Sequence, residues 1–229
     1  MKISIILPIL NEEIVIQACL TQLQPFIPTC EIILVDGGSS DNTLALIGAV
    51  ADRVFFSKKG RARQMNAGVE YATGDVLLFL HVDTCLPENA PQLIEEAISS
   101  GRHWGRFAIR FSGRHPMFWL IAQMMNLRSA LTGIATGDQA IFVTRQAFNA
   151  VGKYPEISLM EDIALSTALK RIGPPLCLNA KVTSSSRRWE VNGIYSTIVL
   201  MWTLRLLYFF GVAPETLASL YNRGKLWKR

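Results

Sequence analysis

Residues 31–43 read EIILVDGGSSDNT: an unbroken apolar run from Ile32 to Val35, then an aspartate, a glycine pair and a cluster of small polar residues. A short apolar run without alternation is the pattern of a strand buried on both faces, as in a parallel sheet. The small polar residues that follow cap helices well, and a helix is expected from Leu44 to Ala51. The same arrangement stands upstream. Ile3 to Leu7 is an apolar run that Pro8 is expected to end, and Asn11 is placed to cap a helix carrying Ile14, Val15, Ala18 and Leu20. Downstream come a short strand at Arg53 to Phe56, a helix at Ala62 to Ala72, and a fourth apolar strand at Val76 to Leu80 that runs into HVDT. Pro87 then suits the first position of another helix.

This alternation predicts an α/β fold, a mostly parallel sheet flanked by helices. Ligands of such sheets bind beyond the carboxyl ends of the strands. The polar loops fall there: Asn11 to Glu13, Asp36 to Asp41, and His81 to Thr84. In the second half, strands are expected at Trp104 to Phe111 and Ala140 to Thr144, and helices at Met117 to Leu131 and Glu161 to Ile172. A strongly apolar stretch at 194–212 and a basic tail close the chain. The expected division is one domain over 1–190, its first hundred residues forming one half and 101–190 the other, with a C-terminal helical segment over 191–229.

The chain has 229 residues, half of them apolar and 18% charged, which excludes a disordered polymer and supplies a full core. The net charge of +5 favours anionic partners. Basic residues cluster at 58–63, 187–188 and 223–229, not in the aromatic-interleaved stripe that nucleic-acid binding needs, so no nucleic-acid partner is expected. Cys19, Cys30, Cys85 and Cys177 lack metal spacing and read as reduced, buried, small hydrophobes of a cytoplasmic protein. The apolar N-terminus lacks a cleavage site and reads as a strand, not a leader.

Several residues carry candidate chemistry. Asp36, at a strand end before Gly37 and Gly38, suits hydrogen bonding to a nucleobase or a simple capped turn. Asp83 suits a hard cation bridging phosphates, and His81 is a borderline ligand or a structural histidine. Lys58, Lys59, Arg61 and Arg63 form a basic turn able to neutralise a diphosphate. Glu161 and Asp162 open a helix, where carboxylates serve as caps or, facing a donor site, as a general base. TGDQ at 136–139 reads as a pocket-lining loop or a turn.

Together, PILNEE at 8–13, VDGGSSDNT at 35–43, GRARQMNAGVEYATGDVLLFLHVDT at 60–84, GDQAIFV from 137 and MEDIAL from 160 resemble the family 2 glycosyltransferases of GT-A fold over roughly residues 2–190. GRARQMN, LHVDT and TGDQ look closest to a small bacterial subgroup associated with radical-SAM and arsenosugar gene clusters. The resemblance implies a metal-assisted, inverting, non-processive transfer from a nucleoside-diphosphate sugar, by family habit a UDP-sugar, to a small-molecule or lipid hydroxyl. It implies Asp162 as catalytic base, and donor contacts from Pro8, Asn11, Glu12, Asp36, Arg63, Asp83 and Arg188. It implies acceptor contacts from Gly137, Asp138, Gln139, Glu161 and Trp189, and Mg²⁺ or Mn²⁺ on Asp83 with His81 as a second candidate ligand. Two departures stand out: His81 replaces the first carboxylate of the family's DxD, and SSRRW with Ser185 replaces QxxRW.

The stretch 194–212 contains Arg205, which is costly at a bilayer centre. Its aromatics and the basic tail fit peripheral docking on the inner membrane face, and fit a homodimer interface as well. Two other functions compete. A nucleotidyltransferase needs a glycine-rich basic loop after the first strand, where acidic PILNEE stands. A non-catalytic nucleotide- or lipid-surface-binding module is compatible with His81.

Overall fold

The computed structural model describes residues 1–48 and 53–223. It is an α/β protein around one eight-stranded sheet of order β3-β2-β1-β4-β7-β6-β8-β5. Strands β1 (Ile3–Ile9), β2 (Cys30–Asp36), β3 (Val54–Phe56) and β4 (Val76–Phe79) run parallel. Helices α1 (Ile16–Leu23), α2 (Thr43–Ile47) and α3 (Arg61–Tyr71) connect them. Beyond β4 the sheet turns mixed. β7 (Ile141–Thr144) is antiparallel to both β4 and β6 (Trp104–Phe111), while β8 (Leu176–Ser184) is parallel to β6 and carries β5 (Thr84–Cys85) on its far side.

The reason for the parallel half is burial on both faces. Ile5, Leu7, Ile32 and Leu34 enter one core and Ile6, Ile33 and Val35 the other, so the centres of β1 and β2 are apolar in both directions. Gly68 of α3 lets that helix lie close on the sheet, since a Cβ there would stand 2.5 Å from Ile6 Cγ2. The remaining helices are α4 (Ala90–Ser99), α5 (Pro116–Thr132), α6 (Arg145–Ala150), α7 (Glu161–Leu169), α8 (Arg187–Asn192), α9 (Ile194–Phe209) and α10 (Pro214–Arg223). A third, smaller apolar cluster joins Met160 to Leu204 and Leu217, tying α9 and α10 to the start of α7.

Several local expectations are corrected. Pro8 does not end β1; it lies within it, and the strand continues to Ile9 beside Asp36. Asn11 does not cap α1, which begins five residues later; it takes a left-handed conformation, φ 55°, and its Oδ1 accepts from Ser40 N at 2.8 Å. Pro87 stands before α4, its carbonyl accepting from Ala90 N at 2.9 Å, and Pro91 supplies the proline of the first turn. The expected end of α2 at Ala51 lies outside the described residues. Cys19 and Cys30 are buried, but Cys85 is exposed and Cys177 half-buried, and all four thiols are free. Among the described residues, no helix is long and apolar enough to cross a membrane.

Candidate active site

Beyond the carboxyl ends of β1 and β4 lies a cavity of about 640 Å³, within the range of small-molecule and cofactor sites. Its floor comes from the sheet. Pro8 and Glu12 enter from β1 and the loop after it, and His81 and Asp83 from the turn between β4 and β5. That turn is closed by Thr84 N donating to His81 O at 3.0 Å, and Asp83 O accepts from Ser185 N at 3.1 Å. The second bond draws the end of β8 against the acidic turn, so Arg187, Arg188 and Trp189 at the start of α8 line the same cavity. Trp189 is held edge-on to Phe111 at 5.6 Å, and the Arg188 guanidinium lies over the Tyr221 ring at 4.1 Å.

The opposite wall is TGDQ and the start of α7. Gly137 N donates to Asp162 Oδ2 at 2.9 Å, fixing that carboxylate against the turn. His81 Nδ1 meets Asp138 Oδ1 at 3.2 Å, and its Nε2 lies so close over Gly137 that an added Cβ would be 2.5 Å away. A side chain there would have to displace the His81 ring. Glu161 is buried beside Asp162 and pairs with Arg61 Nη1 at 3.6 Å. Met160, just before it, is left-handed at φ 70° and is packed against Leu204 and Leu217.

These acids perturb one another. Burial, then the Asp162 charge, raises the Glu161 carboxyl, with Arg61 opposing. Burial, then the Asp83 charge, raises Glu12, offset in part by Arg187 and Arg61. At Asp138, burial pushes upward, but the His81 hydrogen bond and charge, with Arg61 and Arg205, outweigh it and hold the carboxyl below its ordinary range.

Among the described residues, no group of three or more His, Cys, Asp and Glu side chains is arranged to hold a metal by itself. Glu12 and Asp83, two carboxylates lining one cavity, fit a hard cation of the kind that takes one or two carboxylates and completes its shell with substrate phosphates and water. His81 has Nδ1 committed to Asp138 and Nε2 against Gly137, so it fits a structural role better than a ligand's.

The cavity therefore brings together Pro8, Glu12, His81, Asp83, Gly137, Asp138, Glu161, Asp162, Arg188 and Trp189 of the residues expected from sequence. Four others lie outside its lining. Asp36 is buried and spends its carboxylate on Gly38 N at 2.8 Å and Ser39 N at 3.0 Å, closing its own loop. Asn11 braces that loop through Ser40. Gln139 is buried in a capping box with Thr136. Arg63 points away and binds Glu156 at 3.0 Å; Arg61, two positions earlier and so about 200° around the helix, is the arginine that reaches the cavity. Sequence reasoning also left out Arg187, Arg205 and Tyr221 as site residues. Arg205 had a signal, a lone charge inside an apolar stretch.

Known proteins share this architecture. Staphylococcus aureus TarS superposes with TM-score 0.63 at 19% identity, over 87% of this chain and 66% of that one. Glucosyl-3-phosphoglycerate synthase from Mycobacterium tuberculosis, solved with Mg²⁺ and UDP, gives 0.60 at 19%, over 80% and 70%. The mannosyltransferase PcManGT from Pyrobaculum calidifontis, solved with GDP-Man and Mn²⁺, gives 0.67 at 14%, over 98% and 70%. Identities this low establish the fold alone. In sequence, a PGL/p-HBAD biosynthesis glycosyltransferase of Mycobacterium bovis is 34% identical over 167 residues, 66% of this chain and 62% of that protein. Poly-beta-1,6-N-acetyl-D-glucosamine synthase of Staphylococcus epidermidis is 23% identical over 98% of this chain and 53% of its own length. The chain thus spans little more than half the length of these curated relatives. The model of glycosyl transferase family 2 matches residues 4–151, the whole parallel half of the sheet and the TGDQ wall facing it, and the chain belongs to that family.

Proposed function

We propose that the chain transfers a sugar from a nucleoside-diphosphate donor, a UDP-sugar by preference, to an acceptor hydroxyl, in one inverting and non-processive displacement. The observation that carries this is the pairing across one cavity of Glu12 and Asp83 on the sheet side with Asp162, anchored on Gly137, on the other. The nucleoside rests by Pro8 and the loop that Asp36 and Asn11 shape, and the diphosphate lies toward Asp83, Arg187 and Arg188. As the acceptor oxygen forms its bond to the anomeric carbon, its proton passes to the Asp162 carboxylate. The bond from the anomeric carbon to the phosphate oxygen breaks, and its electron pair stays on the diphosphate. The guanidiniums, preset at the cavity wall, stabilise that charge. A divalent cation, Mg²⁺ or Mn²⁺, held by Asp83 with Glu12, would supply further positive charge at the diphosphate. Trp189, Glu161, Asp138 and Gly137 form the acceptor side. The place in the radical-SAM and arsenosugar-associated subgroup belongs to the same proposal, resting on GRARQMN, LHVDT and TGDQ.

The outer face of α9 carries the membrane part of the proposal. Tyr195, Val199, Trp202, Leu206 and Phe209 are exposed at intervals that place them on one side of the helix. An aromatic-rich stripe on a chain of net charge +5 fits an anionic phospholipid surface, and so does a cytoplasmic enzyme docked peripherally on lipid.

Thermal denaturation against UDP-sugars with Mn²⁺ tests the donor assignment. Saturation at about a hundred times Kd stabilises by about 2.7 kcal/mol. Asp162→Asn should keep this shift while turnover falls about 10²- to 10⁴-fold. If no nucleotide-sugar shifts the melting temperature, the donor assignment fails. A shift without transfer or donor hydrolysis favours the non-catalytic binding module.

A further inference from the structure

Two arginines remain without work in that scheme. Arg128, late in α5, has its Nε and Nη2 buried with no hydrogen-bond partner among the described residues. Arg205 of α9 lines the cavity. Neither guanidinium forms an ion pair among the described residues. They are near enough to repel: burial, then the Arg205 charge, brings Arg128 down to about 10. Both also feel Asp162 and Asp138, yet those carboxylates are committed elsewhere, Asp162 to Gly137 N and Asp138 to His81. Two half-buried cations with unused donors are costly unless an anion joins them.

The position says which anion. Arg187 acts on Glu12, at the sheet end where the donor diphosphate is placed. Arg205 lines the same cavity as Asp162 and Asp138, whose negative charges oppose the burial of its guanidinium at the acceptor end. We propose that Arg205, backed by Arg128, binds an anionic group of the acceptor, a phosphate or carboxylate borne by the molecule whose hydroxyl Asp162 deprotonates. This rests on the donor and base assignments above. The anion belongs to a soluble phosphorylated compound or to a lipid headgroup; both present the same charge and oxygens to a guanidinium.

The test titrates inorganic phosphate into the full chain saturated with UDP, by calorimetry. Phosphate should bind the UDP-loaded wild type. Arg205→Gln should weaken it about tenfold or more, the loss of one charge-assisted hydrogen bond, while UDP affinity stays within about twofold. Arg205→Lys should recover part of the loss, and Arg128→Gln should weaken phosphate to a smaller degree. Phosphatidic acid vesicles that compete with phosphate through Arg205 identify a lipid source, whereas phosphatidylcholine vesicles should not compete. Phosphatidic acid that leaves phosphate binding untouched identifies a soluble source. UDP binding without phosphate binding overturns this inference and spares the donor assignment. A parallel loss of UDP and phosphate affinity in Arg205→Gln overturns it too, because the arginine then serves the diphosphate. Absence of UDP binding in wild type removes the donor assignment and this inference together.

Discussion

Strand β1 and helix α9 are both rich in apolar residues, yet they use that character in opposite ways. In β1 every residue but Pro8 is buried, because parallel neighbours stand on both edges and helices on both faces. In α9 only Thr197 and Leu204 are buried, while Trp202 is 65% and Phe209 82% exposed. One side of α9 packs on α10 and Met160, and the other faces outward. Apolar composition alone therefore does not make core; neighbours do. The sheet is complete within the chain. The outer stripe of α9 has no covering element among the described residues, and a phospholipid surface is the proposed neighbour.

Substitutions can break this contrast. Phe142→Ala, in β7, removes a fully buried ring that meets Phe107 edge-on at 5.9 Å, and should cost about 3–5 kcal/mol in urea denaturation. Gly105→Ala comes next. A Cβ there would stand 2.4 Å from the Leu176 carbonyl oxygen and 2.4 Å from Phe142, where β6 meets both its neighbours, so about 1–3 kcal/mol of overpacking is expected. Glu161→Gln acts through pH. Because the folded Glu161 carboxyl is raised, the folded chain holds its proton longer than the unfolded chain does. Its stabilising share is full below the ordinary glutamate range and is lost as pH climbs through the elevated folded value. Melting curves across that interval should fall less steeply for Glu161→Gln than for wild type; equal slopes would remove the burial argument. The smallest stability change belongs to Trp202→Ser with Phe209→Ser, within about 0.5 kcal/mol, because both rings are already exposed. Sedimentation with anionic vesicles should nevertheless drop sharply. If it does not, and the wild type is a dimer that the pair dissociates, the stripe is an interface between copies.

The parallel half was readable because its strands are buried on both faces and leave unbroken apolar runs in the sequence. Strand β8 was not, since LCLNAKVTS is mostly half-buried, carries Asn179 and Lys181, and shifts register against β6 between Phe107 and Ala108. The placement of carboxylates at strand ends was legible for Asp83 and Glu12, which the loop rule assigns. Asp36 obeys the same rule and still turns inward, its oxygens accepting from Gly38 N and Ser39 N. The choice between Arg61 and Arg63 needed the rotational phase of α3 and the wall it faces. Its buried face, Ala62, Met65 and Val69, gives the phase, but only tertiary structure says which flank borders the cavity. Arg205 was visible as a charge out of place, and its partner Arg128 was hidden by sequence distance.

Met160 has a consequence for how the chain can be divided. A side-chain-bearing residue in the left-handed region persists only where its surroundings enforce it, and here they include Leu204 and Leu217. The backbone leading into Glu161 and Asp162 is thus braced by α9 and α10. Cutting the chain after residue 190 should yield a body that still folds its sheet but whose carboxylate has lost its bearing, so the terminal helices behave as part of the instrument and not as a detachable handle.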